Sequence, residues 1–484
     1  MPENVVKALP CIDIKNVTVT GIEFDRLHDL SIHHEPNQHA QAVLFCDMEK
    51  EQAQKFIQQV DLKKVIKIEA VGDDDTKDKQ VLFQGCIIRV QVEYIAIKAS
   101  RVHIVLADTS ILLDIKRESR TFQVLTQKYE EILKTIYKTD QDGKVLINVE
   151  DKPIENFTIR LEETGWEFTK RMASRFNAPI LSDLTAEKPV VSFGLRKENQ
   201  EIKYTVPALL SSMSEIDFQF ITNSDAVDDK IKSKFIREDA SYCQLTTSEY
   251  LYLGDVVQVG SKKYYVQIVD TVVAGENLRH SYRLVTQQGF VVPRIPLISC
   301  RGRLMKGQVQ KVEKDKVQVH FLELDDAYDT KSTTWFPFAT VYSSSDGSGW
   351  YVMPEEKDYV RMMFPSGNEA EAYAASSINM VPTDKVKEKS LRAPGGREIL
   401  LTEDTIEIIC DHQKIFVNLS KKDGISIISS QDIKVSADGD ISMESKGKIQ
   451  LLAKEEIQLQ SGSAHVKIKS NQIAMGGSSV LVGE

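Results

Sequence analysis

Histidines form the densest group of metal-capable side chains in this sequence. His33, His34, Glu35 and His39 lie within seven residues, and imidazole is the commonest metal ligand in proteins. The stretch also holds Pro36 and lies between segments rich in strand-forming residues. We therefore interpret it as a polar loop rather than a metal site.

Acidic residues in two places could also perform chemistry. Asp325 and Asp326 could pair for acid–base catalysis, and the run Asp73 to Asp75 could bind a cation. Adjacent carboxylates on an acidic turn lack the differing surroundings that separate the pKa values of a catalytic pair. Both places are predicted to be solvated loops.

Known catalytic motifs are absent from the sequence. It contains no G-x-S-x-G, H-E-x-x-H or P-loop pattern. We therefore predict that the protein is not an enzyme and has no catalytic, cofactor-binding or metal-ligating residue. No cofactor is expected.

Composition narrows the class of protein further. The chain has 484 residues, a formal net charge of −10 and 42% hydrophobic residues, which suits several globular domains and argues against a nucleic-acid partner. The six cysteines lie far apart with no C-x-x-C pair, as in proteins made in a reducing compartment. No leader opens the sequence and no apolar run reaches bilayer length. Synthesis in the cytoplasm is expected.

The elements that would position any site are mainly β. Short alternating segments predict strands up to about residue 300, interrupted by a helix over 125–138 and by a second helix opened by the capping box of Thr164 and Glu167. Six short strands over 301–380, one of them at 349–353, predict a small barrel such as the OB type. A Lys-, Pro- and Gly-rich linker is predicted at 381–397.

A repeat of eight residues dominates the rest of the sequence. Each unit carries an isoleucine and, two places later, a second apolar residue, and the register resumes after one irregular unit. The predicted core of the repeat is Ile425, Ile427, Ile433, Val435, Ile441, Met443, Ile449, Leu451, Ile457, Leu459, Ile473 and Met475.

The repeat predicts an intertwined trimer. Positions one and three of each unit point to the same side of a strand, and one apolar pair per eight residues is too little to fill a single-chain coil. Three chains would each supply one wall of a dry prism and leave no free strand edge. A monomeric β-helix and an antiparallel meander are the alternatives. In the irregular unit, His465 stands where the other units have isoleucine. It could be a metal ligand near a threefold axis, or a bulge could turn it outward. We favour the outward orientation.

Several stretches together resemble the VgrG family and the hub and spike proteins of phage baseplates. The segment 113–123 is similar to an LDxRRxSRxFQ-like stretch of the hub, 159–168 to its RETxWxF segment, and Leu253-Gly254-Asp255 to a later hub turn. Trp335-Phe336-Pro337, 347–351, Pro354 and 364–367 resemble landmarks of the family's OB-fold. The resemblance extends from about residue 15 to the end.

The resemblance implies a fold and a function. The expected fold is mainly β: a hub of two β-barrel-like subdomains with a few helices (1–300), an OB-fold (301–380), the linker (381–397) and a trimeric β-helix spike (398–484). Such a protein caps the inner tube of a contractile injection system (a phage tail, a phage-tail-like bacteriocin or a type VI apparatus), organises the baseplate and pierces the target envelope.

The resemblance also implies partners and a location. Beyond the homotrimer, the expected partners are an inner-tube protein, baseplate wedge proteins, a PAAR-type tip protein and, transiently, the target envelope. The protein would be part of a virion or tail-like particle. The alternative function is a β-helical cell-wall or polysaccharide hydrolase delivered by such a tail.

Overall fold

A computed structural model describes residues 12–71, 79–140, 142–196, 201–204, 210–259, 261–411 and 414–481. The chain divides into two compact units, 1–380 and 381–484, and each is described by itself. The acidic run Asp73 to Asp75, predicted as a solvated loop, lies outside the described residues.

The first lobe of the N-terminal unit is an antiparallel sheet around an apolar core. Burial alternates along β3, with Ala42, Leu44, Cys46 and Met48 inside, because successive side chains of a strand point to opposite faces. The elements of this lobe are β1 (Val17–Thr20), β2 (Arg26–His34), β3 (Gln41–Glu49), α1 (Lys50–Gln58), β4 (Val65–Val71), β5 (Lys79–Tyr94) and β6 (Ala99–Asp108).

Two helices follow the first lobe, as the sequence predicts. Tyr129, Ile132, Leu133, Ile136 and Tyr137 form one buried stripe of α2, and the capping box that opens α3 is present. The elements of this region are β7 (Glu118–Phe122), α2 (Tyr129–Asp140), β8 (Lys144–Ile147), β9 (Thr158–Glu163), α3 (Gly165–Ser174), β10 (Ile180–Ser182) and β11 (Val190–Phe193).

The second lobe continues the sheet of the first. Strands β2 and β16 pair antiparallel, with His34 opposite Val269 and His33 opposite Asp270, so that one twelve-stranded sheet serves both lobes. The elements of this lobe are β12 (Glu201–Tyr204), β13 (Leu210–Met213), α4 (Glu215–Asn223), α5 (Asp229–Lys232), β14 (Ser241–Thr247), β15 (Val256–Val259), β16 (Lys262–Ala274) and β17 (Asn277–Val285).

A small barrel completes the N-terminal unit. Its five strands lie in the order β20-β19-β18-β21-β22, and a parallel bridge between Phe338 and Ala374 joins the two ends of the sheet. The strands are β18 (Leu304–Glu313), β19 (Lys316–Phe321), β20 (Phe336–Pro337), β21 (Tyr359–Met363) and β22 (Tyr373–Ser377). The strand predicted at 349–353 is not formed; this stretch belongs instead to a loop bridged between Ser343 and Gly349.

The barrel shares its core with β9. Phe157 stacks on Phe321 with ring centroids 5.4 Å apart and meets Phe336 edge-on at 5.0 Å. Ile159 and Leu161 belong to the same cluster. The barrel and the strand that precedes α3 are therefore parts of one packed body.

The C-terminal unit consists of two antiparallel sheets and an extended segment between them. The first sheet, here called the collar sheet, contains β23 (Lys389–Ala393), β24 (Arg397–Leu401), β25 (Thr405–Asp411), β26 (Ile415–Ser420) and β27 (Gly424–Ser429) in sequential order. The second, the tip sheet, contains β28 (Glu456–Ser461), β29 (Ala464–Lys469) and β30 (Gln472–Gly476). Strand β23 lies within the range 381–397 that the sequence predicts to be a linker.

Candidate oligomerisation surface

Two rows of apolar side chains cross one face of the collar sheet. The strand registers align the members of each row on the same face. The first row is Leu391, Ile399, Ile408, Val417 and Ile427; the second is Leu401, Ile406, Leu419 and Ile425. Cross-strand apolar neighbours of this kind are the unit of sheet stabilisation.

This apolar face has no cover within its own chain. Eight of its nine side chains are between 39% and 72% exposed, and Val417 is half-buried. Ile409, on the opposite face, is the only apolar residue of the C-terminal unit that is buried among the described positions. A contiguous exposed patch of this kind marks an interaction surface.

The segment 430–455, here called the octad segment, joins the two sheets. Bends fall at 430–431, 438–439, 446–447 and 454–455, and six residues outside any helix or strand separate each bend from the next. The eight-residue period of the sequence is therefore also the period at which the backbone bends. Ile433, Val435, Ile441, Met443, Ile449 and Leu451 are all more than half exposed.

The octad segment also lacks backbone partners. Between the described residues, residues 432–455 make no backbone–backbone hydrogen bond, and the Gly447 N–H donates to Ser445 Oγ at 3.1 Å. Extended backbone that pairs with nothing presents a continuous row of N–H and C=O groups. Both the side chains and most of the backbone groups of this segment are therefore uncovered within the described chain.

The tip sheet carries a second apolar face. Its rows are Ile457, Ile468 and Ile473, then Leu459, Val466 and Met475. The turn before β29 contains Gly462 with φ of +58°, a conformation that glycine adopts without strain. This turn reverses the chain, so Val466 and Ile468 join the apolar face although they are out of the octad register.

His465 lies on the polar face of the tip sheet. It pairs with Gln460 and Gly476, and its ring lies 2.5 Å from where a Cβ on Gly476 would be. The predicted outward orientation agrees with this register, but the predicted bulge does not, since the strands pair without a register shift. A hairpin turn replaces the bulge.

Half of the predicted repeat residues pair within a single chain, and the predicted winding of three chains stays a prediction. Ile425, Ile427, Ile457, Leu459, Ile473 and Met475 lie in antiparallel sheets formed within one chain. Hairpin turns at glycines such as Gly424, with φ of +79°, let neighbouring strands of one chain pair directly. The sequence reasoning also missed the collar residues upstream of Ile425. Their signal was the alternation at Ile399 and Leu401, Ile406 and Ile408, Val417 and Leu419.

The histidine group lies partly at the end of a strand and partly in a loop. The prediction is wrong for His33 and His34, which end β2 at the junction of the two lobes, whereas Glu35 and His39 lie in the loop. His33 Nδ1 is 2.7 Å from Asp270 Oδ1. In the part of the chain that the structure describes, no three His, Cys, Asp or Glu side chains are grouped to hold a metal ion.

His34 is buried in a polar network. Its Nε2 lies 3.1 Å from Ser182 Oγ, which donates to Asp108, so Nε2 carries the proton and donates to the serine. Its Nδ1 makes no hydrogen bond to a described residue. Burial lowers the pKa of His34 to about 4, and burial likewise lowers the pKa of His280 to about 4. Both imidazoles are neutral near pH 7.

Asp325 has a structural contact. It lies in a turn after β19, as predicted, and its Oδ1 accepts a hydrogen bond of 2.9 Å from the backbone N–H of Thr121 in β7. The carboxylate of Asp325 therefore links the barrel to β7.

A second carboxylate pair locks the barrel onto α3. The buried Arg171 donates to both oxygens of Glu163 at 2.7 Å and to Glu369 at 2.6 Å, and Arg175 donates to Glu369 as well. Burial opposes the ionisation of Glu369, but the attraction of Arg171 and Arg175 outweighs it and lowers its pKa. This network ties the barrel to α3 and to the end of β9.

Solved structures share this fold although sequence comparison finds no relative. No protein-family model and no curated protein matches the chain. An E. coli protein described as a type VI secretion component similar to the T4 tail proteins gp27 and gp5 matches with a TM-score of 0.51 and 13% identity, over 75% of this chain and 99% of its own.

Two structures described as PdpA–VgrG complexes match as well. The lidless form has a TM-score of 0.53 and 10% identity, over 83% of this chain and 93% of the matched one. The lidded form, from Francisella, has the same score and identity, over 83% and 76%. The chain has the hub fold of the gp27/gp5 type. The resemblance that the sequence motifs indicate is confirmed at the level of the fold.

None of the helices among the described residues combines the length and the apolar character that a bilayer-spanning helix requires.

Proposed function

We propose that three copies of this chain assemble through the uncovered apolar faces and form the hub and spike of a contractile injection system. The observation that carries the proposal is the octad segment, in which apolar side chains and unpaired backbone repeat together every eight residues. Stacked units of fixed period that cannot cover their own apolar faces are typical of solenoids and fibres.

An assembly of three chains can bury the apolar side chains of this segment and pair its backbone groups. Each buried isoleucine contributes about 1.5–3 kcal/mol relative to an exposed one, and the contribution recurs in every octad of every copy. Backbone groups of one chain can pair with those of its neighbours, which removes the free edges. A threefold prism is stiff along its axis, and stiffness is the property that a piercing element needs.

The rest of the chain suits the base of such a spike. In this proposal, 1–300 is the hub that caps the inner tube, 301–380 is an OB-fold and 398–484 is the spike. The closure of the barrel between Phe338 and Ala374 supports the OB assignment. Because β23 belongs to the collar sheet, the flexible part of the linker is shorter than 381–397.

The proposed partners follow from this position. They are an inner-tube protein at the hub, baseplate wedge proteins around it, a PAAR-type tip protein at the end of the spike and the target envelope on firing. The proposed location is a virion or tail-like particle made in the bacterial cytoplasm. The role is mechanical and not enzymatic.

The mass of the purified chain in solution tests the assembly. Light scattering should give three times the chain mass, and electron microscopy should show a narrow shaft on a wider base. Co-purification with an inner-tube protein from the producing cells would support the place in the machine. A stable single chain would contradict the proposal, and clearance of cell wall in a zymogram would favour the hydrolase alternative.

A further inference from the structure

The small barrel carries an ordered arm that the proposed function does not use. This arm, residues 340–352, doubles back on itself. The backbone N–H of Trp350 donates to the Tyr342 carbonyl at 2.9 Å, and the backbone N–H of Ser344 donates to the Ser348 carbonyl at 2.8 Å. The Tyr351 hydroxyl donates to the Lys314 carbonyl at 2.8 Å and fixes the base of the arm to the barrel.

The arm exposes an unusual set of side chains. Val341 is 88% exposed, Trp350 60% and Tyr351 73%, and Tyr342 and Val352 are more than half exposed. Asp346 is the only charged residue in the arm, in a chain whose residues are 27% charged. Exposed tryptophan and tyrosine without charged neighbours are the composition of an interface centre.

We propose that the barrel arm packs against the barrel of the neighbouring copy and forms a second contact ring of the trimer. This inference rests on the proposed trimer and goes beyond it, because it gives the N-terminal unit a self-association surface of its own. Two observations select a second copy as the occupant.

The first observation is the short tether between barrel and collar. Twelve residue steps join Ser377, the end of β22, to Lys389, the beginning of β23. A fully extended chain of this length spans about 40 Å. Three barrels attached to one trimeric collar are thereby held close together, at an effective concentration of about millimolar.

The second observation is the charge of the arm. Each copy carries a net charge of −10, so the net electrostatic interaction between copies is repulsive. A surface for self-contact must avoid like charges, and a nearly uncharged aromatic arm meets that requirement. A basic partner would instead be attracted by an acidic patch.

Quenching of tryptophan fluorescence by acrylamide in the full-length chain tests the proposal. Trp166 is buried and Trp335 half-buried, so Trp350 dominates the accessible emission. In the trimer, we expect the quenching constant of the Trp350 emission to be about twofold or more below its value in the Ile441→Lys chain, because an interface tryptophan is desolvated. The matched control is Trp350→Phe, which should abolish the difference.

Subunit exchange gives a second readout that does not depend on the Ile441→Lys chain. Combined Trp350→Ser and Tyr351→Ser should leave the trimer mass unchanged and accelerate exchange between labelled trimers by about tenfold or more, as loss of central interface aromatics does. Ile298→Ser, another strongly exposed apolar position of the same unit, serves as the control and should exchange like the unmodified chain.

Two outcomes would overturn the inference, and they are distinguishable. A trimer whose Trp350 is quenched as freely as in the Ile441→Lys chain, or whose arm variant exchanges at the control rate, would refute the arm contact alone. A monomeric unmodified chain would refute the proposed function and the arm contact together.

Discussion

The two units of this chain solve the problem of burying apolar surface in opposite ways. The N-terminal unit contains several buried clusters, one of them shared by both lobes of the twelve-stranded sheet. In the described part of the C-terminal unit, one apolar residue, Ile409, is buried. Both units are β-rich, so strand content alone does not make a unit self-sufficient. What differs is whether a sheet finds a second layer within its own chain.

The difference also appears in the polar residues. The N-terminal unit buries charged and titratable groups such as Arg171, Glu369, His34 and His280 in hydrogen-bonded networks. The twelve predicted core positions of the repeat are all apolar and hold no titratable group. The N-terminal unit should therefore respond to pH and to the loss of single polar partners, whereas the C-terminal unit should respond to charge and to copy number.

The largest effect is expected from a charge in the octad column. Ile441→Lys would bring three lysines together near the shared axis, and each unpaired buried charge costs several kcal/mol. We expect light scattering to show loss of the trimer while the N-terminal unit still melts cooperatively. The control is Ser442→Lys, the next residue on the opposite side of the strand, which should remain trimeric. An Ile441→Lys chain with the trimer mass would contradict the spike.

A smaller effect is expected in the collar sheet. Ile408 is 52% exposed in one chain, and truncating an exposed side chain changes stability by less than about 0.5 kcal/mol. If the collar face is buried between copies, Ile408→Ala should cost about 2–5 kcal/mol per chain. Denaturation of the trimer at several protein concentrations separates the two values, and a change below 0.5 kcal/mol would place the collar face outside the interface.

Loss of the buried arginine tests the N-terminal unit by itself. Arg171→Leu leaves Glu163 without its guanidinium partner and Glu369 with Arg175 alone, and breaking a buried pair in this way costs about 3–5 kcal/mol. The matched control is Arg303→Leu. That side chain pairs with Glu162 at 3.0 Å where both are exposed, and its loss should cost less than about 1 kcal/mol. The trimer mass should be unchanged in both, and equal costs would refute the locking role of Arg171.

The buried histidines should make the N-terminal unit sensitive to mild acid. The pKa of His34 falls from 6.5 to about 4 on folding, so the unfolded chain takes up the proton first as the pH falls. The stabilisation is complete above about pH 6.5 and is lost progressively toward pH 4, by about 3 kcal/mol for this residue.

Urea denaturation of the N-terminal unit between pH 7 and pH 4 measures this loss. His34→Gln should reduce the slope, and His280, whose pKa is lowered in the same way, should account for the remainder. A slope unchanged in His34→Gln would show that its burial does not govern the acid response.

The sequence predicted best where a local rule was sufficient. The stripe of α2 and the capping box of α3 depend on residues three and four positions apart, and both formed as predicted. The predictions failed where a contact came from far along the chain. His33 and His34 join β2 to β16, more than two hundred residues later. Asp325 lies in a loop as predicted, but its contact with Thr121 was not predicted. Spacing within a motif carries no information on such pairings.

The octad period, with its apolar pairs and bends, was determined by the sequence alone, because side chains alternate along an extended backbone whatever surrounds it. Only the tertiary structure decided which strands the chain closes for itself. Hairpin turns at Gly424 and Gly462 fold the collar and the tip into antiparallel sheets, while 432–455 forms no backbone–backbone hydrogen bond with a described residue. The free energy of the whole sheet determines where a turn forms. The eight-residue period does not determine it, because the period is the same on both sides of the turn.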